Sequence, residues 1–214
     1  MYELFYYPGN ASMAPHFVLE ELGVPFELRL VDRKRNGQKD PDYMKRNPLG
    51  RIPTLVDGDL VLFESAAICL HLADRHPEAN LAPALASNDR AHLYKWLMFL
   101  TNTIQPDLME FFYPDRHTTL AEGIPAVRTA AERRSESGFV VIDDALRRAG
   151  PYLLGERPSV ADFFLLMLVQ WAQDLSERPS KLAGIRRCAD LIAARPGVQR
   201  AAATEGLGSL YRTE

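Results

Sequence analysis

Three short stretches of this 214-residue chain combine residue types that could hold and activate a small polar ligand. The first is Asn47-Pro48-Leu49-Gly50-Arg51-Ile52-Pro53-Thr54-Leu55. A proline entering a strand cannot supply a ladder donor, so Pro53 needs an explanation. A cis Ile52-Pro53 bond is one: it would turn the amide and carbonyl of Ile52 outward and offer a bound peptide an antiparallel backbone ladder. An ordinary edge-strand proline is the other. The second stretch is Glu64-Ser65, where a hairpin gives way to a helix and backbone N–H groups lack partners. The hydroxyl and amide of Ser65 could hold a ligand carboxylate there while Glu64 accepts from a ligand ammonium. Taken singly, the pair also reads as a helix cap with an acidic first turn. The third stretch is the loop Tyr6-Tyr7-Pro8-Gly9-Asn10-Ala11-Ser12, which carries hydroxyl and amide donors at a strand-to-helix switch.

The elements that must position these groups follow from periodicity and turn chemistry. Residues 2–7 suit a buried strand, and Pro8-Gly9-Asn10 supplies a turn. Residues 14–23 form a helix with Phe17, Val18 and Leu22 on its apolar side, closed by Gly23 in the left-handed conformation. Residues 26–31 form a second strand, parallel to the first because a helix crosses between them. The polar stretch 33–46 holds only a short helix around 41–46. Residues 52–56 and 60–63 flank Asp57-Gly58, a pair suited to a tight antiparallel hairpin, and a helix over 64–75 follows. Beyond Pro77 every segment reads helical: 87–112, 121–149, 159–175, 180–194 and 196–204. Ser159 caps one of these helices, and Asp162 reaches back to the cap amide. The fold class is therefore an α/β amino-terminal domain (βαβαββα, residues 1–78), a connector (79–86) and an all-α bundle (87–214).

Composition narrows the function classes. With 47% hydrophobic and 25% charged residues the chain can bury two modest cores. A net charge of −3, with no basic stripe, argues against nucleic acid and anionic membranes as partners. Cys69 and Cys188 have neither metal-binding nor redox spacing, which argues against a disulfide framework. His16, His71, His76, His92 and His117 show no metal spacing and read as capping or surface residues. The start Met1-Tyr2-Glu3-Leu4 lacks a secretion signal, and no run reaches the length of a membrane span, so the cytoplasm is expected.

Together, the run NPLGRIPTL, the Glu64-Ser65 pair and the loop YYPGNASMAPH resemble the cytosolic glutathione transferase superfamily, and bacterial beta-, theta- and nu-like members in particular. The likeness covers nearly the whole chain, and 154–162 resembles the family's buried capping-box segment. It implies a thioredoxin-like first domain, glutathione as co-substrate, a role in detoxification and a homodimer in which each amino-terminal domain rests on the partner's bundle. It also implies that Ile52, shaped by Pro53, offers backbone bonds to the cysteinyl part of glutathione, that Glu64 and Ser65 grip the γ-glutamyl end, and that Gln38 or Lys39 reaches the glycyl carboxylate.

Glutathione's thiol, like free cysteine, ionises at about pH 8.5, so the enzyme's task is to favour the thiolate; making the thiol ten times more acidic takes about 1.4 kcal/mol. A donor near sulfur and the positive end of the helix starting near Ser12 would supply it. Beta-like members carry a loop resembling PGACS; here Ala11 stands at the cysteine, which argues against mixed-disulfide chemistry. One register then names Ser12 as the donor and another names Asn10, with Tyr6 third. The resemblance places the electrophile between this loop and the first bundle helix, against Trp96, Phe99, Asn102, Thr103, Gln105 and Phe112. The expected activity is conjugation of glutathione to a hydrophobic electrophile. The alternatives are a glutathione-dependent disulfide or peroxide reductase without a protein thiol, and a non-catalytic glutathione-binding protein.

Overall fold

The computed structural model describes residues 1–211, so residues 212–214 of the expected second domain lie outside the described residues. The chain forms two compact units. The first comprises Met1–Ala82 together with Ala193–Leu210, and the second comprises Pro83–Ile192 together with Tyr211.

In the first unit a four-stranded sheet has the order β2-β1-β3-β4. Strand β1 (Tyr2–Tyr6) runs parallel to β2 (Phe26–Leu30) and antiparallel to β3 (Thr54–Asp57), which pairs antiparallel with β4 (Leu60–Phe63). Helix α1 (Met13–Leu22) makes the crossover and ends at Gly23, whose φ of 65° is the left-handed closure the sequence anticipates. Because every residue from Met13 to Leu19 is buried, α1 is a core helix rather than an amphipathic one. Helix α3 (Ser65–Arg75) packs beside it. On the opposite side of the sheet, Val31, Tyr43 and Ile52 form a small core with Phe5 and Tyr7, and the short helix α2 (Pro41–Met44) supplies Tyr43.

Several boundaries differ from expectation for identifiable reasons. The hairpin register pairs Asp57 with Leu60, so Gly58 and Asp59 are the two loop residues. Only Gly58 has positive φ, 60°, which leaves Asp57 in the strand with its carboxylate 2.9 Å from His71 Nε2. The stretch 33–46 is more ordered than its polarity suggests, with single turns at Arg33–Arg35 and Gly37–Lys39 ahead of α2.

The second unit is helical. Helix α4 (Asn88–Phe99) continues through a π turn (Leu100–Ile104) into α5 (Gln105–Phe112), where a single helix over 87–112 was expected. Pro106 is the cause. It cannot donate to Asn102 and its ring crowds that carbonyl, so the preceding turn widens and Gln105 N–H bonds Leu100 O instead. Helix α6 (Ile124–Ala149) and α7 (Val160–Trp171) follow, the latter buried from Val160 to Val169. Helix α8 (Ala183–Ala193) begins against Asp143, whose Oδ1 accepts from Gly184 N at 2.7 Å.

Helix α9 (Pro196–Glu205) differs from the expected grouping, since it packs on α1 in the first unit. Gly197 permits this close approach, because a Cβ there would sit 2.8 Å from backbone atoms of Glu20 and Glu21. Arg195 pairs with Glu21, and Arg200 Nε reaches Glu20 Oε2 at 2.7 Å.

The capping box is present as read from the sequence. Asp162 Oδ2 accepts from Ser159 N at 2.8 Å, and its Oδ1 accepts from Leu153 N at 2.8 Å. Burial pushes the Asp162 carboxyl up, while its hydrogen bonds oppose that rise. Replacing Asp162 by Ala should strand two buried N–H groups and lower stability by about 3 kcal/mol, measurable by urea unfolding.

Candidate functional site

Register aligns the three stretches at one end of the sheet. Phe5 lies opposite Thr54, and Thr54 lies opposite Phe63. The loop after β1, the Ile52-Pro53 segment before β3 and the Glu64-Ser65 pair after β4 therefore emerge side by side. Ser65 joins two of them directly, its hydroxyl donating to Ala11 O at 2.8 Å.

The Ile52-Pro53 bond is cis. The segment is clamped from below: Tyr43 Oη donates to Arg51 O at 2.5 Å, and Asn47 Nδ2 donates to Arg51 O at 2.8 Å and to Pro53 O at 3.5 Å. Burial pushes the Tyr43 phenol up, which keeps it a donor. Gly50 completes the loop with φ 58°, and a Cβ there would lie 2.6 Å from Gln38 O. Only glycine fits both demands. Between the two held carbonyls, the N–H and C=O of Ile52 have no hydrogen-bond partner in the protein among the described residues. Two bonding groups thus stand unused on a residue only 8% exposed.

Glu64 precedes α3 with φ 73° and ψ 111°, outside the conformations a non-glycine residue normally adopts. Its carbonyl starts the helix by accepting from Ile68 N at 3.0 Å, and no side chain caps the helix. The exposed Glu64 carboxylate has no partner among the described residues. One expectation changes here: the Ser65 hydroxyl proton is engaged by Ala11 O, so of the two ligand-gripping groups assigned to Ser65, its amide is the one left.

In the loop after β1, Asn10 N bonds Tyr7 O at 3.2 Å, with Pro8 and a positive-φ Gly9 between them, the pattern of a type II turn. Ser12, the first-named donor, is fully buried; its Oγ donates to Tyr7 O at 3.1 Å and accepts from Tyr7 N at 3.3 Å. It fastens the turn. Tyr6 lies edge-on to the His16 ring, with centroids 6.2 Å apart. Asn10 is half-buried, and its Oδ1 accepts from Ala11 N at 2.9 Å, which leaves the two Nδ2 protons without a protein acceptor among the described residues. His16, expected at the surface or as a cap, is instead fully buried.

Lys39 Nζ approaches Leu49 O at 3.4 Å, and Gln38 Oε1 is buried without a partner. Within the second unit, Trp96 and Phe99 meet edge to face at 6.0 Å, while Asn102 and Thr103 are exposed on the π turn and Gln105 follows. Phe112 stands apart from this group. Sixteen residues of helix separate it from Trp96, about 24 Å at helical rise, which is too far to line one small pocket; it packs on Phe111 instead. Both cysteines are buried, and burial pushes their thiols up.

Comparison with known proteins gives one answer. The model of the glutathione S-transferase amino-terminal domain matches residues 1–74, and that of the carboxyl-terminal domain matches 125–201. Glutathione S-transferase GstA of Escherichia coli O157:H7 is 32% identical over 207 residues, covering 96% of this chain and 99% of that protein. Among solved structures, a glutathione transferase from Methylococcus capsulatus is 35% identical with TM-score 0.83, over 97% of this chain and all of that one (100%). A sphingomonad glutathione S-transferase solved with glutathione is 31% identical with TM-score 0.83, over 96% and 100% of the two chains.

The backbone at Glu64 gives a direct test. Glu64→Gly should relax the positive φ that Glu64→Ala retains, so the glycine variant should be the more stable by about 1 kcal/mol when unfolding midpoints are compared. Equal stabilities would show that the conformation carries no strain.

Proposed function

The chain belongs to the glutathione S-transferase family, and we propose that Asn10 activates its bound glutathione for attack on a hydrophobic electrophile. It is a glutathione-dependent transferase with glutathione as co-substrate. The observation that supports the residue assignments is the alignment, at one sheet end, of three sets of groups without partners among the described residues: the Ile52 peptide, the Glu64 carboxylate and the Asn10 amide protons.

On this reading the peptide of Ile52 pairs with the cysteinyl residue as an added strand. The Ser65 amide, at the positive end of α3, holds the γ-glutamyl carboxylate, and Glu64 accepts from the γ-glutamyl ammonium. Lys39 or Gln38 meets the glycyl carboxylate. The sulfur then faces the Asn10 amide, whose donated proton and the start of α1 favour the thiolate. Ser12 acts through the loop, since its hydroxyl is engaged with Tyr7. Trp96, Phe99, Asn102, Thr103 and Gln105 are the proposed contacts of the electrophile. The buried thiols of Cys69 and Cys188 offer no nucleophile for mixed-disulfide chemistry.

We also read the protein as a cytoplasmic homodimer. No helix among the described residues is long and apolar enough to cross a membrane. The edge strand β4 leaves Leu60, Val61 and Phe63 exposed at 42%, 41% and 38%, an apolar edge that a second copy could cover.

Three outcomes are expected. Asn10→Ala should lower kcat about tenfold or more with aryl halides, epoxides or β-aryl ethers, and leave retention on glutathione-agarose intact. Ser12→Ala should mainly lower the unfolding midpoint; the reverse pattern would return the sulfur contact to Ser12. Sedimentation at micromolar concentration should give a dimer, and a monomer would overturn the assembly.

A further inference from the structure

Glu205 is the last residue of α9, and its side chain is completely buried. A carboxylate is poorly placed there, because the carboxyl-terminal end of a helix carries negative partial charge and burial removes water from the ion. Two interactions compensate. Oε1 lies 2.7 Å from His16 Nδ1, and Oε2 accepts from Gly9 N at 2.9 Å. His16 is itself enclosed edge-on by the rings of Tyr6 and Phe26, with centroids 6.2 and 5.7 Å away, so one carboxylate oxygen is fixed on α1. The other oxygen is thereby aimed at the tip of the Tyr7–Asn10 turn.

This contact reaches a part of the turn that its own bonds leave unheld. In the type II pattern the amide of the third residue points away from the turn's own closing bond, which here joins Asn10 N to Tyr7 O. Ser12 fastens the turn at its base through Tyr7, and nothing in that pair of bonds fixes the peptide before Gly9. Glu205 does so, and Asn10 is the next residue.

We infer that Glu205 is a positioning residue for thiol activation, holding the peptide of Gly9 so that the Asn10 amide is presented to sulfur in one orientation. The inference rests on the reading of Asn10 as the sulfur contact. It goes beyond that reading by assigning a catalytic consequence to α9, which touches neither the proposed grip on the γ-glutamyl group nor that on the cysteinyl backbone.

The test uses the full-length protein with glutathione and an aryl halide. Glu205→Leu removes both acceptor oxygens whichever nitrogen of His16 carries the proton, and Glu205→Gln keeps the shape of the side chain but, with His16 donating through Nδ1, offers one acceptor oxygen to two donors. Each should lower kcat about tenfold, with KM for glutathione little changed, and raise the midpoint of the bound thiolate's ultraviolet titration by about one pH unit. The double variant Glu205→Gln/His16→Asn lets the two introduced amides pair and returns an oxygen to Gly9, so it should recover most of the loss. Arg200→Ala, which loosens α9 from Glu20 on α1, controls for helix packing. Wild-type titration in both Glu205→Leu and Glu205→Gln, or equal changes in Glu205→Leu and Arg200→Ala, would overturn the positioning role while leaving Asn10's role intact. Absence of any thiolate band near neutral pH in the unaltered protein would overturn both.

Discussion

An interior peptide group without a hydrogen-bond partner among the described residues is the constraint around which the first unit is arranged. Folding ordinarily leaves very few such groups, because each costs as much as a lost hydrogen bond. Here the neighbouring carbonyls of Arg51 and Pro53 are held by Tyr43 and Asn47, and Gly50 packs against Gln38, so the surroundings of Ile52 cannot relax to satisfy it. The unsatisfied groups persist because everything beside them is satisfied, and the proposed role for them is to pair with the backbone of glutathione.

A similar separation of duties runs through the hydroxyls. Ser12 and Ser65 look, by residue type, like ligand contacts, yet each hydroxyl proton is taken by a nearby carbonyl, Tyr7 O and Ala11 O respectively. These two bonds tie the loop after β1 to itself and to the start of α3. The groups that remain open are those whose chemistry is duplicated: an amide with a second role beyond its oxygen, and a helix terminus with more N–H groups than caps.

Much of this was legible in the sequence. Turn chemistry and periodicity placed all four strands and the site's three stretches, because Gly23, Gly58 and Pro53 act through local geometry. Sequence could not say which hydroxyls were already engaged, since that depends on which carbonyl lies within reach after folding. It also missed Glu205 and put His16 at the surface or on a helix cap. Their contact joins positions 189 residues apart, and a single glutamate at a helix end gives no periodic signal. The one hint was local conflict, an acid at the negative end of a helix and a histidine inside an apolar run, the sort of inconsistency that marks a tertiary partner. The widened turn before Pro106 was readable in principle, because a proline inside a helical pattern must disturb the residues ahead of it.

The packing of α9 on α1 bears on how the molecule is made. Ribosomes release the amino-terminal strands first, but the helix that covers α1 and reaches the Tyr7–Asn10 turn emerges only after residues 83–192 of the second unit. The sheet can form early. The corner at the Tyr7–Asn10 turn must wait for α9, so the contact of Glu205 with Gly9 forms only after the bulk of the second unit has been made.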